Sequence, residues 1–129
     1  MRVVLDTNVL VSAVLFGGTS RILLIQATRG EVDLVTSPAL LDELEDVLVE
    51  KFEFSREAAR ATRSEVESLA DIVEAVNVPR ICRDPDDDQV LATAVLGIVD
   101  AIVTGDEDLL VLKSHEGIDI VTPGDLSRR

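Results

Sequence analysis

Cysteine and aromatic residues are scarce in this sequence of 129 residues. The single cysteine, Cys82, cannot form a disulfide within the chain, which excludes a disulfide-stabilised scaffold and favours a reducing compartment. Tryptophan and tyrosine are absent, and only three phenylalanines are present. We therefore do not expect aromatic stacking on nucleic-acid bases to dominate any function.

Long apolar runs and basic residues are also scarce. No stretch of about 18 apolar residues is present, so we expect no membrane-spanning helix. Asp6 interrupts the N-terminal apolar stretch too early for a signal peptide, and a cytoplasmic protein is the expectation. The 12 lysines and arginines face 25 aspartates and glutamates, and the net charge of −13 repels nucleic-acid phosphates. This charge argues against passive coating of DNA, but not against an enzyme whose carboxylates bind metal ions.

The hydrophobic content of 47% is sufficient for a packed core, and no repeat or linker divides the chain, so we predict a single domain over residues 1–129. Short apolar runs predict strands, and capping signals predict helices between them. Strands that alternate with helices indicate a three-layer α/β/α sandwich with a central, mainly parallel sheet. The predicted strands are Val3–Leu5, Val32–Thr36, Ala101–Val103 and Ile118–Val121. The predicted helices run over Thr7–Leu15, Ser20–Arg29, Ser37–Lys51, Ser55–Val73, Asp84–Leu96 and Asp106–Leu112.

Two acidic residues follow predicted strands. Asp6 comes directly after the first strand, and Asp106 comes three residues after Val103. The carboxyl ends of parallel strands lie at one edge of a sheet, where α/β proteins bind ligands. Asp6 and Asp106 are therefore expected at the same edge.

A third acidic residue, Glu43, lies in the second turn of a predicted helix. At about 100° per residue it falls close to Val47, on the border of the apolar stripe of that helix. Asp42 and Asp46 fall further round the helix. Glu43 is the acid of this cluster that we expect to face inward.

Asp88 lies on an apolar stripe of another predicted helix. A carboxylate in such a position is costly unless a partner compensates its charge. The Asp88 and Glu43 helices both begin at the edge where Asp6 and Asp106 are expected, so the four carboxylates can converge. The apolar residues that share the stripe are Leu91, Ala92 and Val95.

A cluster of carboxylates without histidine or cysteine suits hard cations such as Mg²⁺ or Mn²⁺. The single histidine and the single cysteine give no zinc-binding pattern. Metal ions held by carboxylates promote phosphoryl chemistry, because they activate water and neutralise charge on the scissile phosphate. The sequence therefore favours metal-dependent phosphoryl chemistry.

Four motifs, in this order and in these strand and helix contexts, resemble the PIN-domain family and in particular VapC-like toxin components of toxin–antitoxin pairs. The resemblance extends from Val3 to about Leu126. The motifs are Leu5-Asp6-Thr7-Asn8, then Thr36-Ser37-Pro38 leading into Leu41-Asp42-Glu43-Leu44, then Asp84-Pro85-Asp86-Asp87-Asp88 leading into Leu91-Ala92-Thr93-Ala94, and finally Val103-Thr104-Gly105-Asp106-Glu107-Asp108-Leu109.

The resemblance implies a three-layer α/β/α fold and an endoribonuclease that uses Mg²⁺ or Mn²⁺. It assigns Asp6, Asp88 and Asp106 as metal ligands and Glu43 as a ligand or as the group that holds and deprotonates the attacking water. Asp88 is preferred over Asp84 for its helical phase, because Asp84 suits the helix cap. The resemblance also implies supporting roles for Asn8 and Thr104, and for Asp108 as an additional acid beside the metal.

The same resemblance implies an RNA substrate, a cognate antitoxin and a homodimer. Two other classes remain open at this point. A degenerate member of the family would keep the fold and bind RNA or a protein partner without cutting. A phospho-receiver domain is also acidic and Mg²⁺-dependent, but it needs a pair of acids near the first strand, where this chain has the lone Asp6.

Overall fold

The short apolar runs of the sequence form the centre of a six-stranded sheet. The computed structural model describes the whole chain, Met1–Arg129. The strand order is β3-β2-β1-β4-β6-β5, and every pair is parallel except β5 with β6. The strands are β1 (Arg2–Leu5), β2 (Asp33–Thr36), β3 (Ala70–Ile72), β4 (Ala101–Val103), β5 (Ser114–His115) and β6 (Ile118–Val121).

Helices cover both faces of this sheet, which confirms the predicted α/β/α architecture. No single helix is both long enough and apolar enough to cross a lipid bilayer. The helices are α1 (Thr7–Leu15), α2 (Gly18–Thr28), α3 (Pro38–Phe52), α4 (Arg56–Leu69), α5 (Pro85–Leu96), α6 (Glu107–Leu110) and α7 (Pro123–Ser127).

The core has two halves, because side chains along a strand alternate between the faces of the sheet. On β1, Val3 and Leu5 pack with residues of α1, α2, α3 and α4 on one face. Val4 packs with residues of α5 and with Leu109 of α6 on the other face. The central strands are buried on both faces, which explains why they are continuous apolar runs rather than alternating ones.

Most of the predicted elements are present, but α6 ends at Leu110 rather than Leu112, and boundaries of α2 and α4 are wrong by more. Helix α2 begins at Gly18 rather than after Ser20, because Gly17 turns the chain at a φ of 79° and no side chain caps this helix. The helix predicted to reach Val73 ends at Leu69, because Ala70–Ile72 pairs with β2 as a parallel edge strand. Strand β5 and helix α7 were not predicted.

The topology brings several chain segments to one edge of the sheet. Strands β1 and β4 are neighbours, with Leu5 opposite Val103, so their carboxyl ends lie side by side. Helices α1 and α6 begin within a few residues of these strand ends. Helix α3 follows the neighbouring strand β2 in the same way, with Ser37 as its cap.

Candidate metal centre

A pocket of ≈ 250 Å³ opens at this edge of the sheet. We call it the acidic pocket, because six carboxylates line it and Lys51 is its only basic residue. The carboxylates come from the end of β1, from α3, from the start of α5 and from the segment after β4. They are Asp6, Glu43, Asp84, Asp86, Asp87 and Asp106.

Three carboxylates form a cluster at one side of the acidic pocket. Oxygens of Asp87, Asp106 and Asp108 all lie within 4.8 Å of one another. Asp106 accepts a hydrogen bond from the Asp108 backbone N–H at 2.8 Å, and Asp108 forms an ion pair with Arg83 at 2.8 Å. Asp87 is only 7% exposed, and no hydrogen bond from the protein opposes the shift in its pKa. We call these three residues the aspartate triad.

Burial raises the pKa of Asp87 to about 7 from an ordinary value of 3.8. The negative charges of Asp106 and three other aspartates around it contribute to the same shift. A largely buried carboxylate among like charges takes its charged form only at a free-energy cost, which a bound cation would offset. The donor set consists of oxygens alone and suits Mg²⁺ or Mn²⁺, so these residues fit such an ion.

Asp6 is buried beside the triad, and each of its oxygens accepts one hydrogen bond. One accepts the Val9 N–H at 3.0 Å, which caps α1, and the other accepts the Thr104 hydroxyl. The Thr104 hydroxyl in turn accepts the backbone N–H of Asp106 at 2.9 Å. Burial raises the pKa of Asp6 even though these donors oppose the shift. Thr104 thus connects the ends of β1 and β4 and orients Asp6 against the triad.

Glu43 lies on α3, where it is half-buried and lines the acidic pocket. Burial raises the pKa of Glu43, an effect that the nearby Thr7 hydroxyl opposes and the surrounding carboxylates reinforce. Asp42 and Asp46 are exposed and form ion pairs with arginines of α4. Of the acids in this part of α3, Glu43 is the one that lines the pocket.

Asp88 lies outside the acidic pocket, which corrects its predicted position. One oxygen of Asp88 accepts the backbone N–H groups of Ile81 at 3.0 Å and of Cys82 at 2.7 Å. These hydrogen bonds, led by that of Cys82, lower the pKa of Asp88. Asp88 lines a separate, largely apolar groove and fastens the loop before α5 to the helix. The two backbone N–H groups of this loop are thus the partners that compensate the charge of Asp88 on its apolar stripe.

Asp87 takes the place predicted for Asp88, because α5 carries two overlapping apolar stripes. The residues three, four and seven positions after Asp87 are Val90, Leu91 and Ala94, all of them buried. On the Asp88 stripe, Val95 is 38% exposed. Both stripes are apolar in the sequence, so only packing against the sheet distinguishes them.

The remaining predicted residues lie in or beside the acidic pocket. Asn8 is exposed at its rim, and Asp84 caps α5 by accepting the N–H of Asp86 at 2.9 Å. Sequence reasoning missed Lys51 and Arg83. Arg83 directly precedes the acidic stretch Asp84–Asp88, and this adjacency is the signal that could have found it.

The family model described as PIN domain matches residues 2–108. The chain belongs to the PIN-domain family. The fold is similar to that of a chain in the crystal structure of VapBC2 from Rickettsia felis bound to a DNA fragment from their promoter. The two chains are 15% identical with a TM-score of 0.65, and the match covers 93% of this chain and 97% of that one. PAE2754 from Pyrobaculum aerophilum is 16% identical with a TM-score of 0.63, and the match covers 99% of this chain and 88% of that one.

At such low identities, the two structures show that this PIN-domain chain shares their fold. None of the curated proteins matches the sequence significantly. The acidic pocket is therefore interpreted from its own residues.

The raised carboxylate pKa values predict that the PIN-domain protein loses stability as the pH rises in the absence of metal. In the folded protein Asp87 keeps its proton up to about pH 7, whereas in the unfolded chain it releases the proton near pH 3.8. The stabilisation of the folded state by this proton is therefore complete below about pH 3.8 and is lost as the pH rises through about 7. Solvent screening in the open pocket limits the loss to about 1–2 kcal/mol. Urea unfolding in EDTA between about pH 4.5 and 7.5 measures it. In Asp87→Asn the free energy of unfolding should change less with pH. If it changed with pH equally in the variant and the wild type, Asp87 would not be the group responsible.

Proposed function

We propose that residues 1–129 form one PIN nuclease domain that hydrolyses RNA phosphodiester bonds with the help of Mg²⁺ or Mn²⁺. The observation that carries this proposal is the aspartate triad. Asp87 is buried among like charges and lies within 4.8 Å of Asp106 and Asp108. A fold that retains such an unfavourable group gains from it when a cation binds.

The proposal assigns the aspartate triad to the metal ion and keeps Asp6, which lines the same pocket, as a further ligand. A bound divalent ion would activate water and neutralise charge on the scissile phosphate. Thr104 and Asp6 keep the Asp106 segment in place through their hydrogen bonds. Glu43 lines the same pocket as Asp87 and Asp106, and its raised pKa makes it the better proton acceptor for the attacking water.

In this reaction the water oxygen attacks phosphorus and the bond from phosphorus to the 3′-oxygen breaks. Glu43 takes one proton of the water, and the leaving 3′-oxygen takes up a proton from solvent to become a hydroxyl. The products then carry a 5′-phosphate and a 3′-hydroxyl, as the family resemblance implies. No covalent enzyme intermediate is needed, because water itself is the nucleophile.

We further propose that the protein is the toxin of a toxin–antitoxin pair in the cytoplasm, that it forms a homodimer, and that a cognate antitoxin inhibits it. The likeness in fold to VapBC2, whose structure includes promoter DNA, supports a partner of this kind. A basic side chain of that partner would suit the acidic pocket, because six carboxylates and one lysine line it.

Cleavage of a labelled RNA with and without EDTA tests the nuclease proposal. We expect cleavage with Mg²⁺ or Mn²⁺, none in EDTA, and recovery when Mn²⁺ is restored in excess. Asp106→Asn, purified in the same way, controls for contaminating ribonucleases. Cleavage with Mg²⁺ or Mn²⁺ by folded Asp106→Asn at the wild-type rate, from preparations that do not cut in EDTA, would contradict the proposal. A folded protein that neither binds Mn²⁺ in calorimetry nor cuts RNA would instead be a non-cutting binding module.

A further inference from the structure

Arg83 places a permanent positive charge against the aspartate triad. It lies in the loop before α5, directly ahead of the cap residue Asp84. One guanidinium nitrogen lies 2.8 Å from an Asp108 oxygen, and this is the only ion pair that Arg83 makes. The Arg83 side chain is 87% exposed. A single exposed ion pair of this kind contributes at most about 1 kcal/mol, so Arg83 can leave Asp108 at little cost.

The ion pair competes with the proposed metal ion. Asp108 can serve a cation fully only when its oxygen is free of the guanidinium, and a divalent ion beside Asp108 would repel Arg83. Arginine does not lose its proton at any pH at which the protein is folded, so its charge must find another anion. The planar guanidinium matches a phosphate group and binds it through two parallel hydrogen bonds.

The acidic pocket offers a phosphate backbone few other positive groups. The chain carries a net charge of −13, and Lys51 is the only basic residue that lines the pocket. Lys51 lies on α3, as Glu43 does, and Arg83 forms its ion pair with Asp108 of α6. An RNA strand bound at the pocket can therefore meet Lys51 in the lining and Arg83 beside the triad.

We propose that Arg83 is a positioning residue that exchanges between two anions. In the metal-free protein it neutralises Asp108, and in the substrate complex it binds an RNA phosphate next to the scissile one. This inference rests on the proposed nuclease function and adds to it the residue that couples metal binding to substrate binding.

The test compares the whole protein with Arg83→Ala, using Mn²⁺ alone in calorimetry and a labelled RNA in kinetics. Without its competitor, Asp108 should bind Mn²⁺ about two- to fivefold more tightly. Without the phosphate contact, KM for RNA should rise about tenfold with kcat nearly unchanged. The affinity for RNA should also fall less steeply with salt concentration, by the amount expected for the loss of about one phosphate contact. Tighter binding of Mn²⁺ together with weaker binding of RNA would distinguish exchange of Arg83 between two anions from a merely structural role.

Arg80→Ala is the matched control, because Arg80 is an exposed arginine of the same loop whose charge acts on Asp88 rather than on the triad. Both measured quantities should remain at the wild-type values. Unchanged or weaker Mn²⁺ binding by Arg83→Ala, or an unchanged KM, would overturn the inference. If the wild-type protein binds Mn²⁺ and cuts RNA while Arg83→Ala behaves identically, only the role of Arg83 fails. If the wild type does neither, the nuclease proposal and this inference fail together.

Discussion

Asp87→Asn is expected to lower RNA cleavage by at least about 100-fold and to leave the protein folded. The substitution removes the negative charge of a proposed metal ligand while keeping the size and shape of the side chain. It also removes a buried carboxylate whose pKa burial and like charges raise to about 7. In EDTA the variant should therefore melt at a higher temperature than the wild type, although it has lost activity.

Asp88→Asn is the matched control for this experiment, because it makes the same chemical change one residue further along α5. Its side chain accepts loop N–H groups outside the acidic pocket, so cleavage should stay within about threefold of the wild type. The weaker amide acceptor should lower the melting temperature. Cleavage rates and melting curves of both variants, with and without Mn²⁺, provide the comparison. Loss of activity in Asp88→Asn and retention in Asp87→Asn would reverse the assignment of the two residues.

These neighbouring aspartates show what sequence reasoning can and cannot resolve in this fold. Asp6 and Asp106 could be placed from the sequence, because a residue that ends a buried parallel strand has only one edge to occupy. Glu43 could be predicted to face inward from its helical phase, because it lies at the border of the single apolar stripe of α3. Asp87 could not be separated from Asp88, because Ala94 and Val95 are both apolar and either could have faced the sheet.

The errors in the predicted elements have similar physical causes. The segment Ala70–Ile72 lies at the end of a helical pattern, and only pairing with β2 makes it a strand. Its local preference is therefore overridden by a partner that is distant along the chain. The start of α2 was misplaced because glycine at a positive φ made the turn where a serine cap was expected. The core strands were predicted well, since burial on both faces requires continuous apolar runs.

Thr104→Val should weaken Mn²⁺ binding and RNA cleavage by about 10- to 100-fold without removing any carboxylate. Valine has nearly the shape of threonine, so the change deletes a hydroxyl from a fully buried position. Asp6 then loses a donor and the Asp106 N–H loses its acceptor. Each buried group left without a partner costs about 1–3 kcal/mol, and urea unfolding in EDTA should show this loss.

Thr104→Ser separates the hydroxyl from the methyl group in the same experiment. Serine retains a hydroxyl that can bridge Asp6 and the Asp106 N–H, so metal binding should stay near the wild-type affinity. Its loss of stability should reflect only the missing methyl group, about 1 kcal/mol. If Thr104→Val bound Mn²⁺ as well as Thr104→Ser, the hydroxyl would not orient the triad. The connection between the ends of β1 and β4 would then stabilise the fold without serving the metal centre.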